Sequence, residues 1–284
     1  MTAEDRLVLR EAAPWGVRLT LNRPAKLNAL SAKLRDELAA AVAEAADDDH
    51  VRVIAIAGAG RAFCAGYDLS EAAPSTAWGW RDVLARDVEA TLAIWSCPKP
   101  VIAQVHGFAL AGGLELAMAC DLIVAADDAQ LGEPEIRFGS APVTLLMPFV
   151  VGQKKTRELL MTGDLIGAAE AERIGLVNRV VPGDRLAAEV DALADRLARV
   201  PPDVMAPTKQ MLNRAMDAAG FSAAVEMGLD LQSFVNMSET ARQFDAIVRS
   251  EGLKAALAWR DRRYDERLAD AGRPGEMSRP SGPT

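Results

Sequence analysis

The chain alternates between short apolar runs and longer stretches in which apolar residues recur every three to four positions. Val17-Arg18-Leu19-Thr20-Leu21 alternates as a half-buried strand does. Val51 to Ala57, Val101 to Val105 and Leu122 to Ala126 are short apolar runs, each closed by a turn. Between these runs the pattern predicts helices: Ser31 reads as the N-cap of one that reaches Ala46, and the small-residue turn Ala109 to Gly113 opens another. Strands separated by helical stretches point to an α/β fold with mostly parallel pairing. From Gln153 onward the spacing is helical over Lys154 to Thr162, Ala168 to Ile174 and Arg185 to Val200, with a short strand at Val180-Val181. Beyond Pro201-Pro202 come Val204 to Asp217, Ala223 to Asn236, Glu239 to Ser250 and a last helix after Gly252 that runs through Tyr264 to Leu268.

This pattern divides the chain into an α/β core over 1–200, a helical module over 201–270 and a tail over 271–284. The tail's Gly, Pro and Ser content is that of a disordered segment. The apolar stripes of the module either cover its own core or bury themselves on another subunit.

Composition narrows the function. A net charge of −8, from 32 basic and 40 acidic side chains, argues against a nucleic-acid or membrane-surface protein, because phosphate binding needs clustered Lys and Arg. The three cysteines, Cys64, Cys97 and Cys120, form no CxxC pair and sit among small or apolar residues, as reduced core thiols do. The N-terminus has scattered charges and no signal-peptide core, and no segment has the apolar length to span a bilayer, so the expected compartment is the cytoplasm. The two histidines, His50 and His106, supply a triad or a zinc site poorly, and His106 reads as a packing residue. No metal is expected.

The most informative stretch is His106 to Asp121, where a glycine turn runs into an apolar helix carrying one carboxylate, Glu115. A helix that begins on glycines offers unpaired N–H groups and a partial positive charge, which suit an oxygen that gains charge during a reaction. A second glycine loop, Arg61 to Leu69, can converge on the same oxygen. A lone Glu in a first helical turn is ordinarily a surface residue. Here Leu114, Leu116, Ala117 and Met118 surround it, and a buried carboxylate is costly without a task. Glu135 follows Pro134 in a turn and can approach the same cleft. Glu133, two residues earlier, reads as a solvated turn carboxylate.

Four motifs in order carry a family resemblance: Leu21-Asn22-Arg23-Pro24-Ala25-Lys26-Leu27-Asn28-Ala29-Leu30; Ala62-Phe63-Cys64-Ala65-Gly66-Tyr67-Asp68-Leu69; His106-Gly107 through Gly112-Gly113-Leu114-Glu115-Leu116; and Gly132-Glu133-Pro134-Glu135. Through them the chain resembles the crotonase, or enoyl-CoA hydratase/isomerase, family, most of all its hydratases. The resemblance implies a crotonase-like ββα spiral core with a C-terminal helical oligomerisation module, assembled as a homotrimer or a dimer of trimers. It implies an acyl-CoA substrate whose thioester oxygen sits between the backbone N–H groups of Tyr67 and Gly112. Glu115 would orient and deprotonate a water, and Glu135 would deliver a proton at C2. The CoA moiety would lie along Arg23, Ala25, Lys26, Leu27, Ala65, Gly66, Asp68 and Leu69, with Arg23 and Lys26 available to phosphates. CoA is part of the substrate, and no separate cofactor is implied.

The pattern departs from the family after Glu135. Gly139-Ser140-Ala141-Pro142 is kept, but Val143 to Met147 stand where relatives carry glycines, which should fill space near Glu135 and reshape the acyl pocket. Glu71 to Arg86, with Trp78 and Trp80, reads either as an apolar lid or as core. The rival activities are a Δ3,Δ2-enoyl-CoA isomerase, which needs one strong base, and a hydrolase or decarboxylase built on the same enolate. A non-catalytic or RNA-binding relative is disfavoured by the acidic balance and the paired glutamates.

Overall fold

The computed structural model describes residues 6–271, with side chains as far as Tyr264. Strands β1 (Val8–Ala13) and β2 (Gly16–Leu21) form an antiparallel hairpin across a two-residue turn at Pro14 and Trp15. From β2 the sheet continues in parallel through β3 (Val53–Gly58), β4 (Val101–Val105), β6 (Leu122–Ala126) and β9 (Arg179–Val181). Its six strands lie in the order β1-β2-β3-β4-β6-β9. The inner strands are apolar on both faces because both faces are covered. Ile54 and Ile56 of β3 join one core with Leu34, Leu38 and Val42 of α1 (Ala32–Asp47) and Leu84, Val88 and Ile94 of α2 (Ala77–Ser96). Val53 and Ala55, pointing the other way, meet Leu186, Val190 and Leu193 of α7 (Leu186–Ala198). Ser31 caps α1 as expected, its hydroxyl accepting the N–H of Leu34.

A smaller sheet of β5 (Phe108–Leu110), β7 (Gln130–Gly132) and β8 (Ile166–Gly167) was not apparent in the pattern, because strands of two or three residues are too short to show a period. Between β5 and β6 stands α3 (Gly112–Ala119), buried along its whole length. After a 3-10 turn at Pro134–Phe138 follow α4 (Met147–Val150), α5 (Gln153–Thr162) and α6 (Ala168–Arg173).

The last four helices are α8 (Pro202–Ala218), α9 (Phe221–Val235), α10 (Glu239–Glu251) and α11 (Leu253–Ala271). The tail foreseen over 271–284 lies, after its first residue, outside the described residues. Helix α8 is fastened by Lys209, 5% exposed, whose Nζ donates to Asp121 Oδ2 at 2.7 Å and to the carbonyls of Lys99 and Ile94. Phe221 of α9 packs on Trp95, ring centroids 5.1 Å apart. Phe244 of α10 stacks on Phe138 at 4.9 Å, and Leu69 and Trp259 pack against the same cluster, so α10 and α11 bury apolar surface on their own chain. Helices α8 and α9 leave Met211, Leu212, Met227, Leu231 and Phe234 exposed. Among the described residues no helix is long and apolar enough to cross a membrane.

Candidate active site

The first two motifs are stapled to each other by one buried asparagine. Asn28 adopts a left-handed conformation, φ 56°, which Asn tolerates better than most residues. Its Nδ2 donates to the carbonyls of Ala59 (2.9 Å), Ala62 (2.8 Å) and Phe63 (3.2 Å), while its Oδ1 accepts the N–H of Arg23. The Arg23 guanidinium is engaged within the same corner, by Ala29 O and by Asp68 Oδ2 at 2.9 Å. Ala25 and Lys26 sit in an exposed 3-10 turn beside it, and the carbonyl of Leu27 accepts the N–H of Ala65.

These contacts aim two backbone donors. Leu30 pairs with Tyr67 in a parallel bridge: its N–H reaches Gly66 O (2.8 Å), and its carbonyl takes the N–H of Asp68 (3.2 Å). In such a bridge the central residue's own N–H points away from its partner. The N–H groups of Tyr67 and Gly112 have no acceptor among the described residues. The two loops touch, for a Cβ placed on Gly66 would lie 3.5 Å from the Gly112 nitrogen and 2.7 Å from Ala111 Cβ. Ala111, the N-cap of α3, is held at φ 54° and ψ −132°, a conformation costing about 1–3 kcal/mol for a residue with a side chain. Its N–H is tied to Gly132 O, and its carbonyl accepts Leu114 and Glu115, so the strain is fixed from both sides.

The Tyr67 ring lies over Gly112. A Cβ there would come within 2.7 Å of Cζ and 2.8 Å of Cδ2, with Cε2 nearer still, so only glycine allows the approach. The residue is half-buried, but its hydroxyl is sealed from solvent, and the ring centroid lies 5.6 Å from the Arg35 guanidinium carbon. Burial, reinforced by the charge of Glu115, pushes the phenol well above its ordinary range. Arg35 in turn pairs with buried Asp87 at 2.7 Å. Burial outweighs the guanidinium and lifts Asp87 to about 7.

Three buried carboxyls, Glu115, Glu135 and Glu133, lie close enough to act on one another, and the first two also act on this ring. Glu115, 1% exposed, accepts the backbone N–H groups of Val143 (2.8 Å) and Thr144 (2.7 Å) on Oε1, and its Oε2 has no partner. Burial raises its pKa, while the Thr144 and Val143 donors and Tyr67 oppose the rise. The segment foreseen as filling space near Glu135 therefore clasps Glu115 with its backbone. Helix α9 backs that clasp, since a Cβ on Gly228 would fall 2.5 Å from Val143 O. Glu135, 6% exposed, is pushed upward by burial and then by the charge of Glu115, and its Oε2 is unpartnered.

Glu133 corrects the sequence reading. It is no solvated turn residue: it is 1% exposed and neither carboxyl oxygen has a partner. Burial, then the charges of Glu135 and Glu115, raise its pKa well above the ordinary value. Pro134 restricts the residue before it to extended backbone, and Glu133 has φ −124° and ψ 80°. It thus continues the alternation of β7 and shares the inward face of Leu131. That alternation was the available signal.

Elsewhere, His106 Nε2 is hydrogen-bonded to Gly60 O at 2.9 Å. Trp78 stands 79% exposed in the first turn of α2, with Trp80 half-buried behind it. The three cysteines are free and buried.

A strained turn presenting a free N–H, a second free N–H beside it and buried carboxyls within reach can stabilise an enolate and move protons around it. Known proteins share this arrangement of elements. The enoyl-CoA hydratase/isomerase family model matches residues 16–262. A protein of Mycobacterium bovis named "Probable enoyl-CoA hydratase" is 40% identical over 223 residues, covering 77% of this chain and 85% of its own. The crotonyl-CoA hydratase of Syntrophomonas wolfei is 39% identical over 199 residues, covering 69% and 76%. The crystal structure of an enoyl-CoA hydratase/isomerase from Xanthobacter autotrophicus superposes with a TM-score of 0.88 at 40% identity, covering 91% of this chain and 98% of that one. Motifs, fold and relatives agree that the chain belongs to the enoyl-CoA hydratase/isomerase, or crotonase, family.

Proposed function

We propose that the protein adds water across the 2,3 double bond of a 2-enoyl-CoA thioester. The observation that carries this reading is the contrast between two glutamates beside the free N–H pair. Glu115 has one oxygen held by two backbone donors, which favour its carboxylate, whereas Glu135 is buried without such a pair of donors, which favours its acid form. Carboxyls kept in different environments divide base and acid duties.

The thioester oxygen binds between the N–H groups of Tyr67 and Gly112. Glu115 takes a proton from a water through Oε2 as the water oxygen bonds to C3. The double-bond electrons move onto the thioester as an enolate, which the two donors stabilise. Glu135 then protonates C2, so that one water is added, and the proton left on Glu115 returns to Glu135 before the next cycle. Losing one oxyanion donor typically costs about 100-fold to 1000-fold in rate.

The CoA moiety runs along Ala25, Lys26 and Leu27 and along Ala65, Gly66, Asp68 and Leu69. Arg23 serves by bracing that corner through Asp68 rather than by meeting a phosphate. The reaction calls for no metal and no cofactor beyond the CoA of the substrate. The exposed apolar residues of α8 and α9 support assembly with further copies of the chain, as a homotrimer or a dimer of trimers.

The test is consumption of crotonyl-CoA or a longer 2-enoyl-CoA, followed by loss of the conjugated-thioester absorbance. Glu135→Gln should lower kcat by about 100-fold or more. Absence of turnover across all chain lengths refutes the hydratase, and conversion of 3-enoyl-CoA alone replaces it with the isomerase.

A further inference from the structure

The hydration chemistry leaves one buried carboxyl without a task. Six side-chain oxygens around the cleft are sealed from solvent without a hydrogen-bond partner: both of Glu133, one each of Glu115 and Glu135, the Tyr67 hydroxyl and the Thr144 hydroxyl. The Glu115 and Glu135 oxygens are those the reacting water and C2 would use. Tyr67 and Thr144 both act on Glu115, easing the cost of its charge. Glu133 alone serves neither.

Its place in the chain lies between two parts of the site. Glu133 follows Gly132, whose carbonyl holds the N–H of strained Ala111 at 2.8 Å, and precedes Pro134 and Glu135. It thus joins the turn that presents the oxyanion donor to the residue assigned as the acid. Buried polar groups in folded proteins nearly always have a partner, and a carboxyl with none is among the costliest exceptions. Arg35, whose guanidinium lies at the Tyr67 ring, is engaged by Asp87 and Glu71. Three neighbouring buried carboxyls cannot all carry charge, and Glu133, with no donor to either oxygen, keeps its proton. A protonated carboxyl offers one O–H donor and one carbonyl acceptor, the complement of a hydroxyl or carbonyl oxygen.

We propose that Glu133 forms a polar subsite in the acyl pocket which takes an oxygen carried on the acyl group, so that the preferred substrates are oxygen-bearing rather than purely hydrocarbon acyl-CoA thioesters. This rests on the acyl-CoA reading of the site and adds the substrate class. An ammonium-bearing acyl group is the less favoured occupant, because it would have to be stripped of water while the cluster around it became charged.

The test uses saturated thioesters, which cannot be hydrated, so binding is read without turnover. Calorimetry compares butyryl-CoA and valeryl-CoA with their 4-hydroxy, 5-hydroxy and 4-amino counterparts. At least one hydroxyacyl-CoA should bind about tenfold or more tightly than its unsubstituted parent. Glu133→Leu should bring that ratio to about one, and Glu133→Gln, whose amide also donates and accepts, should preserve most of it. No hydroxyl advantage in the wild type, an advantage that survives Glu133→Leu, or a stronger advantage for the amino compound each overturns the proposal. Absence of binding by every thioester would instead refute the acyl-CoA reading itself, and this subsite with it.

Discussion

Gly112→Ala tests whether the Tyr67 ring occupies the space above the glycine turn that opens α3. The added Cβ would sit 2.7–2.8 Å from two ring carbons, where about 3.5–4.0 Å is comfortable, an overlap of roughly 1 Å. The ring has little room to retreat, since its hydroxyl is sealed among the carboxyls and its face lies beside Arg35. Overpacking of this kind costs about 1–3 kcal/mol, and the better helix propensity of alanine returns at most about 1 kcal/mol. In the wild-type background the net loss should be about 1–2 kcal/mol. In a Tyr67→Ala background the obstacle is gone, and the same substitution should be neutral or stabilising. Four proteins define the cycle: wild type, the two single variants and the double. Equilibrium urea unfolding at one fixed protomer concentration should give a coupling energy of about 1–3 kcal/mol. Additivity within about 0.5 kcal/mol would mean that the ring does not lie on Gly112 in solution, and the close fit argued for this turn would be wrong.

Two further outcomes follow from buried charge. Lys209→Met removes the cation from the partly exposed Asp121 and the donor from two carbonyls, and should destabilise the protein by about 1–3 kcal/mol in denaturant, while adding Asp121→Asn should recover part of that loss; equal midpoints for wild type and Lys209→Met would show the pair to be dispensable. Glu133 keeps in the folded chain a proton that the unfolded chain releases above its ordinary pKa of 4.5. Its contribution is therefore whole below about pH 4.5 and drains as the pH rises toward the higher folded value. Glu133→Gln should flatten the fall of stability above about pH 4.5 and raise the thermal midpoint most at the alkaline end; an unchanged slope would show that Glu133 titrates normally.

The inner strands were legible because they are buried on both faces and so read as unbroken apolar runs. The helix ends were legible where capping chemistry marks them, as at Ser31. Helix α2 was not. Its buried positions Leu84, Asp87, Val88, Thr91 and Ile94 have helical spacing, but two of them are polar, because Asp87 must meet Arg35 across from α1. A stripe interrupted by a buried ion pair does not look like a stripe. At the site, motif order pointed to Glu115, Glu135 and the two donors, all of which depend on local turns. Glu133 was misread because the residue type suggested solvent while the strand period set the direction. The clasp of Val143 and Thr144 on Glu115 was beyond sequence reasoning, since backbone donors leave no trace in side-chain identity.

Helix α9 has two working faces. Gly228 abuts the carbonyl of Val143, the residue whose N–H holds Glu115, while its neighbour Met227 looks outward with Leu231 and Phe234. A subunit seated on that outer face would press on a rod whose inner face backs the clasp on Glu115. The alignment of the Glu115 carboxyl would then be a property of the assembly, and each protomer's site would be set partly by its neighbour.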